Sequence, residues 1–379
     1  MSTLDPKKKV ERSRNLASGY SLSNLIQSED AVSHTIEMLL DWMNKYAESQ
    51  EPMELDKFFT FTAFDVVGEV LFSKQFGFLQ QGVDIGNAIS NSLALNAYAA
   101  IGGFLQPLNL IVANPLVTWL GIMPMGHLFN TTKKAINDRE KNQEARFDIV
   151  AHWFKNLAQH PDRMKLRDIH AQATTNVGAG ADTVSCALQS FVYHMIRHPT
   201  AWQRVRDEID AARKEGCCTD RVVSFDHAQK LPYLQACIKE AIRVFSPVPM
   251  GLPRVAPKGG VTISNRSFPA GTVLSINPWV IHHSKEIWGP DADEFKPQRW
   301  LAESAAAIEK YWIPFGAGYM SCPGQNVTKI ELSKITATIV RDYDIRQVDT
   351  NQEWKYKAYF TVVPHSWPCI IQKREQGAS

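Results

Sequence analysis

The chain has 379 residues, 41 Lys and Arg against 39 Asp and Glu, and a formal net charge of +2. A length of this order supports a large core, and 44% hydrophobic with 21% charged residues is ordinary for a globular protein. The near-neutral balance argues against nucleic acid as a partner. Residues 1–14 are charged and lack the apolar stretch of a secretory leader. Cys186, Cys217, Cys218, Cys237, Cys322 and Cys369 form no C-x-x-C pair and no zinc spacing. Five of the six read as buried free thiols of a reducing compartment.

Along the chain, apolar residues at Val32, Ile36, Leu39, Leu40 and Met43 predict an amphipathic helix over 29–46. Residues 55–72 read as a more buried helix. Residues 85–132 contain no Asp, Glu, Lys or Arg. Pro107, Pro115 and Pro124 argue against one clean membrane span there. The reading is helix–loop–helix, either ordinary core or an apolar patch touching a membrane surface. Residues 133–159 read as one charged helix, 167–198 as a long helix closed by His198-Pro199, and 202–214 and 231–245 as further helices. Val261–Ile263 and Thr272–Ile276 predict a hairpin. Helix returns over Val327–Asp342, and the tail around Tyr359–Ile371 is extended. The fold class expected is mainly α with small β-sheets, in one continuous domain over residues 1–379.

Three places carry chemistry. The run Phe315-Gly316-Ala317-Gly318-Tyr319-Met320-Ser321-Cys322-Pro323-Gly324 surrounds one thiol with glycines. Such a loop can present sulfur to something flat and large, its backbone N–H groups stabilising a thiolate. That is how a haem iron is held when O–O cleavage is the task. Gly178-Ala179-Gly180-Ala181-Asp182-Thr183 lies inside the long helix. Each glycine there costs about 1 kcal/mol relative to alanine. Either a widening that admits a ligand or close helix packing offsets it. Thr183 can bond an upstream carbonyl and Asp182 can deliver a proton. Glu240 and Arg243 share a helix face, and Arg299 lies in a Trp- and Pro-rich segment where Glu240 is its candidate partner.

In this order the motifs resemble the cytochrome P450 family, over nearly the whole chain from residue 5. The stretch Ala63–Ser73 with Phe76-Gly77-Phe78-Leu79 looks like fungal members near the pisatin-demethylase group. The resemblance implies a P450 fold lacking its N-terminal anchor, first strands and early helices. It implies a haem-thiolate monooxygenase carrying haem b, with electrons from NADPH through a reductase. The substrate would be an apolar small molecule, in fungal secondary-metabolite biosynthesis. Cys322 would be the axial ligand, shielded by Phe315, in a loop shaped by Gly316, Gly318 and Gly324. Ala179, Gly180, Asp182 and Thr183 would form the oxygen groove and proton relay. Glu240, Arg243 and Arg299 would be the structural triad, Arg254 a propionate partner, and Thr361 and Val362 would lie near the pocket. Location at the endoplasmic reticulum surface or in the cytoplasm follows from the same resemblance, with membrane contact through 85–132.

Three departures stand out. Met320 occupies the place of a propionate-binding cation. Lys9 and Ser13 replace an aromatic or His and an Arg on the first helix, where Lys9, Arg12 or Arg14 would have to compensate. The hairpin near 261–276 would lose its partner strands and keep an unpaired edge. Two other readings stay open: a haem-thiolate isomerase or dehydratase, and a catalytically silent fragment of the fold.

Overall fold

The structure, a computed structural model, describes residues 6–105, 126–142 and 146–375. Among these, ten helices exceed ten residues: α1 Pro6–Ala17, α2 Glu29–Ser49, α3 Leu55–Phe72, α4 Ala88–Phe104, α5 Gly126–Lys141, α6 Ile149–Gln159, α7 Leu166–Arg197, α8 Pro199–Lys214, α9 Pro232–Val244 and α10 Gln325–Asp342. Eight short strands pair only as antiparallel couples. The mainly α architecture with small sheets is the expected one.

The 32-residue α7 runs through the centre. Its most extensive packing is on α3, which is apolar on all sides and buried along nearly its whole length. α2 turns its Val32–Ile36–Leu39–Leu40–Met43 stripe inward, as its spacing predicts. After α3 the chain reverses onto Asp65. That buried carboxylate accepts from the backbone N–H groups of Gly77, Phe78 and Leu79. α9 and α10 pack against α7 further along.

Two expectations are corrected. Residues 133–159 are not one helix. Asp148 accepts from Ala151 N–H at 2.7 Å and so starts α6 as its N-cap. Arg139 of α5 folds back onto the same carboxylate, which joins two helices where the charge pattern read as continuous. The second correction concerns the hairpin. β2 (Val261–Ile263) pairs with β3 (Arg266–Phe268) through Ser264 and Asn265, whose φ values of 48° and 62° suit a tight two-residue turn. β4 (Val273–Leu274) pairs instead with β1 (Arg254–Val255). On that second couple Val255 and Val273 are exposed.

β5 (Tyr343–Gln347) pairs with β8 (Cys369–Lys373), and β6 (Lys355–Ala358) with β7 (Val362–His365), so the tail is extended as read. Pro107, Pro115 and Pro124 lie outside the described residues, and α4 and α5 flank them. Cys186, Cys218, Cys237 and Cys369 are buried free thiols, whereas Cys217 is only half-buried. It lies three residues beyond the end of α8, where the chain turns at the surface. No helix among the described residues is long and apolar enough to cross a membrane.

Candidate functional site

Cys322 stands just before the N-terminus of α10, exposed to solvent. Its N–H donates to the Phe315 carbonyl at 2.7 Å, closing the loop. Gly316 and Gly318 inside it have φ of 68° and 66°, a left-handed backbone that favours glycine. A Cβ on Gly318 would meet nothing within 4 Å, and one on Gly324 would rest 3.8 Å from the Cys322 sulfur. The loop is thus bare around its thiol. Surrounding protein raises the Cys322 pKa, and the N–H groups of Gly324 and Gln325, bonded to the sulfur, pull it down. A bound metal would decide that contest for the thiolate.

Behind the loop lies a run of aromatic rings. Trp288, Trp300, Trp312 and Phe315 follow one another at centroid separations of 5.6, 6.1 and 5.7 Å. His282 anchors the approach to the loop, its Nε2 accepting from Ile313 N–H at 3.0 Å. Burial, and then Arg243, hold the His282 ring down to about 3, so it is neutral.

The ring run ends on the charged cluster. Arg243 grips Glu240 with Nε and Nη2 at 2.9 and 2.8 Å, and both side chains are 0% exposed. Arg299 Nε reaches the same carboxylate at 2.8 Å, with Lys296 N–H and Trp300 Nε1–H each at 2.9 Å. The remaining guanidinium donors go to carbonyls of His282, Ala292 and Glu294 from Arg243, and of Trp288 and Asp291 from Arg299. Three residues that the sequence separates by 59 positions meet at one saturated carboxylate.

On α7, Ala179 is exposed and Thr183 half-buried. Thr183 Oγ1 donates to the Ala179 carbonyl at 2.9 Å, as its position predicts. Ala171, Thr175, Ala179 and Thr183 recur every four residues and make an open stripe. Gln172 and Asn176, beside that stripe, both donate to Tyr20 Oη. Burial chiefly raises the Tyr20 phenol, and the nearby Cys322 adds to it. Asn326 of α10 donates to the Tyr20 carbonyl at 2.9 Å. Tyr20 therefore ties the stripe side of α7 to the first turn of α10, four residues beyond Cys322.

Gly180 and Asp182 turn elsewhere. A Cβ on Gly180 would lie 2.7 Å from Val67 Cγ2 of α3, so this glycine serves close helix packing rather than the open stripe. Asp182 is buried and accepts from Ser92 Oγ and from Asn96 Nδ2 at 2.7 Å, both on α4. Burial raises its pKa, and the two donors oppose that rise. Ser92 and Asn96 were missed in the sequence. Their signal was two polar residues four apart in an uncharged helix. Tyr20, Gln172 and Asn176 left no comparable signal, because their meeting spans 152 residues.

Arg254 is exposed and donates to the carbonyls of Leu252 and Pro253 at 3.3 and 3.0 Å. Lys9 is buried on α1, and desolvation lowers its pKa. Arg14 lines a surface groove with Lys7, Glu11 and Arg163. Thr361 and Val362 are buried, Val362 N–H donating to the Pro247 carbonyl at 2.9 Å.

A bare thiol loop, a long helix with an open hydroxyl-bearing stripe and a buried Glu–Arg–Arg cluster together define a haem-thiolate type of enzyme. The chain belongs to the cytochrome P450 family, whose model matches residues 2–366. It is 31% identical over 372 residues to the cytochrome P450 monooxygenase cicH of Emericella nidulans, covering 95% of this chain and 73% of that one. It is 30% identical over 371 residues to the monooxygenase ACRTS1 of Alternaria alternata, covering 95% and 98%. It is 29% identical over 375 residues to a pisatin demethylase of Fusarium vanettenii, covering 95% and 70%. Pisatin demethylase is thus among its relatives, as the motif reading expected. The family uses a haem and electrons supplied by a reductase. The donor set fits that group: one soft thiolate ligand, exposed, with glycines where side chains would crowd a flat macrocycle.

Proposed function

We propose that residues 1–379 form one monooxygenase domain that places one oxygen atom from O2 into an apolar small-molecule substrate. Cys322 holds haem b, and NADPH supplies the electrons through a reductase. The observation that carries this reading is the exposed Cys322 thiol four residues before Asn326, which Tyr20 joins to the stripe side of α7. When bound, the haem supplies oxygen activation, and thiolate donation favours O–O cleavage.

The chain's own residues do the rest. The N–H groups of Gly324 and Gln325 stabilise the Cys322 thiolate, and Gly316 and Gly318 keep the approach clear. Phe315 shields one side of the sulfur. Ala179 leaves room on the stripe. Thr183 holds a proton at Oγ1, and Asp182 supplies it by leaving its Ser92 and Asn96 donors on α4. Arg254 binds a propionate by exchanging the Leu252 and Pro253 carbonyls for a carboxylate. Thr361 and Val362 border the substrate. Glu240, Arg243 and Arg299 fix the loop from behind. Ile101 and Leu105, exposed at the end of α4, suit contact with a membrane surface such as that of the endoplasmic reticulum. A secondary metabolite is the substrate class that the pisatin demethylase likeness favours.

Thr183→Ala tests the relay. With reductase and NADPH, the share of consumed oxygen released as peroxide should rise about tenfold. An unchanged share removes Thr183 from proton delivery. A second reading, rearrangement without oxygen, is favoured by Asp182 being engaged by α4 instead of Thr183. Turnover that persists without O2 and reductant would select it.

A further inference from the structure

A cavity of about 280 Å³ lies on another side of α7. Its walls include Phe64, Phe78, Ile85, Leu95 and Val177, and Phe64 stacks on Phe78 at 4.8 Å. Of the two α7 residues in its wall, Val177 sits about 160° round the helix from Thr175 of the open stripe and Gly178 about 60°. Neither Cys322 nor any residue of that stripe lines the cavity. The Asp182–Ser92–Asn96 contact joins α4 to α7 beside it, and Ser92 is itself part of the wall. The space is therefore distinct from the Cys322 side.

The chemistry of its rim is specific. Lys74 and Lys134 stand there with Asp138, which leaves one excess positive charge. Lys74 and Asp138 are only 3.9 Å apart in an exposed, weak pairing. Asn91 and Thr131 add hydrogen-bonding groups. An apolar cavity of about 150 Å³ accommodates benzene, so this one takes about a ten-carbon chain or two fused rings.

We propose that this cavity is a second binding site, for a small apolar carboxylic acid whose tail fills the Phe64–Val177 chamber and whose carboxylate meets Lys74 and Lys134. A ligand there touches Ser92 and Gly178. It therefore bears on the segment that holds Asp182 without approaching the thiol.

The test is calorimetric titration of the haem-loaded full chain with decanoate and with 1-decanol, imidazole being present to occupy the iron. Decanoate should bind in the presence of imidazole. Ala135→Trp, which fills the cavity, should weaken both ligands about tenfold or more. Lys134→Glu alters only an exposed side chain and should weaken decanoate about fivefold while leaving decanol unchanged. An unchanged imidazole spectrum in both variants shows them folded. Loss of decanoate binding on adding imidazole overturns the proposal. So does equal decanoate affinity in wild type and Ala135→Trp, or no binding at all. The readout is heat, so a failure of haem-thiolate chemistry would show in the spectrum and not here.

Discussion

Two buried glutamates solve the same problem in opposite ways. Glu240 on α9 is 0% exposed and accepts five donors from Arg243, Arg299, Lys296 and Trp300. Glu331 on α10, nine residues beyond Cys322, is also 0% exposed, yet neither of its oxygens has a donor among the described residues. Burial raises Glu331 well above the ordinary glutamate range, so it sits in the core as a neutral acid. Glu240 instead has two guanidiniums and two further donors matched to its carboxylate. The lesson is that burial alone does not say which form a carboxylate takes; the count of donors does.

The largest expected effect breaks the matched member. Glu240→Ala leaves buried Arg243 charged with no carboxylate partner and Arg299 with only Asp291, 3.6 Å away, and should cost about 3–5 kcal/mol in denaturant unfolding. A loss under 1 kcal/mol would mean that the cluster is loosely held. Next, Gly180→Ala drives a methyl into Val67 and should cost about 1–3 kcal/mol, with the open stripe left intact. A neutral outcome would show that α3 and α7 part easily at that crossing.

Glu331→Met should change stability in the opposite direction from Glu240→Ala. The sign follows from linkage. The folded pKa is raised, so wild-type stability falls as pH climbs from the unfolded glutamate value toward the folded one. Removing the acid should add about 1–3 kcal/mol at pH 8 and less at pH 5. A gain that is larger at pH 5 would contradict the neutral-acid assignment.

The last prediction concerns the acid limb. His194 stacks on Phe295 at 5.2 Å, and burial holds its ring down to about 3. Histidines with depressed pKa stabilise the fold above the unfolded value of about 6.5 and lose that contribution as pH falls toward the folded one. His194→Phe keeps the stacking and should flatten part of the decline in melting temperature between pH 6.5 and pH 4. An unaltered slope would assign that decline to other groups.

Much of this contrast was readable in advance, but not evenly. Helices 55–72 and 29–46 follow from apolar spacing, because burial of one helix face is a local property of sequence. Cys322 was legible because three glycines around a thiol have few other uses. Glu240, Arg243 and Arg299 were nameable as one group, but the Lys296 and Trp300 donors that complete the Glu240 shell were not, since they arrive from a segment without regular structure. The pairing of β4 with β1 escaped because both strands have two residues and carry almost no periodicity. Glu331 escaped entirely. In Thr328-Lys329-Ile330-Glu331-Leu332-Ser333-Lys334 it reads as half of a surface pair, whereas Lys334 turns inward to Glu29 at 2.6 Å. Asp182 was singled out for its chemistry, while its partners Ser92 and Asn96 lie about ninety residues upstream.

The central claim is that Cys322 binds haem iron as a thiolate. The carbon monoxide difference spectrum of the reduced, haem-loaded protein tests it most directly. Wild type should show the red-shifted Soret band of a thiolate-ligated haem, and Cys322→Ser should lose that band. A wild-type spectrum without it, or the same band in Cys322→Ser, would contradict the account.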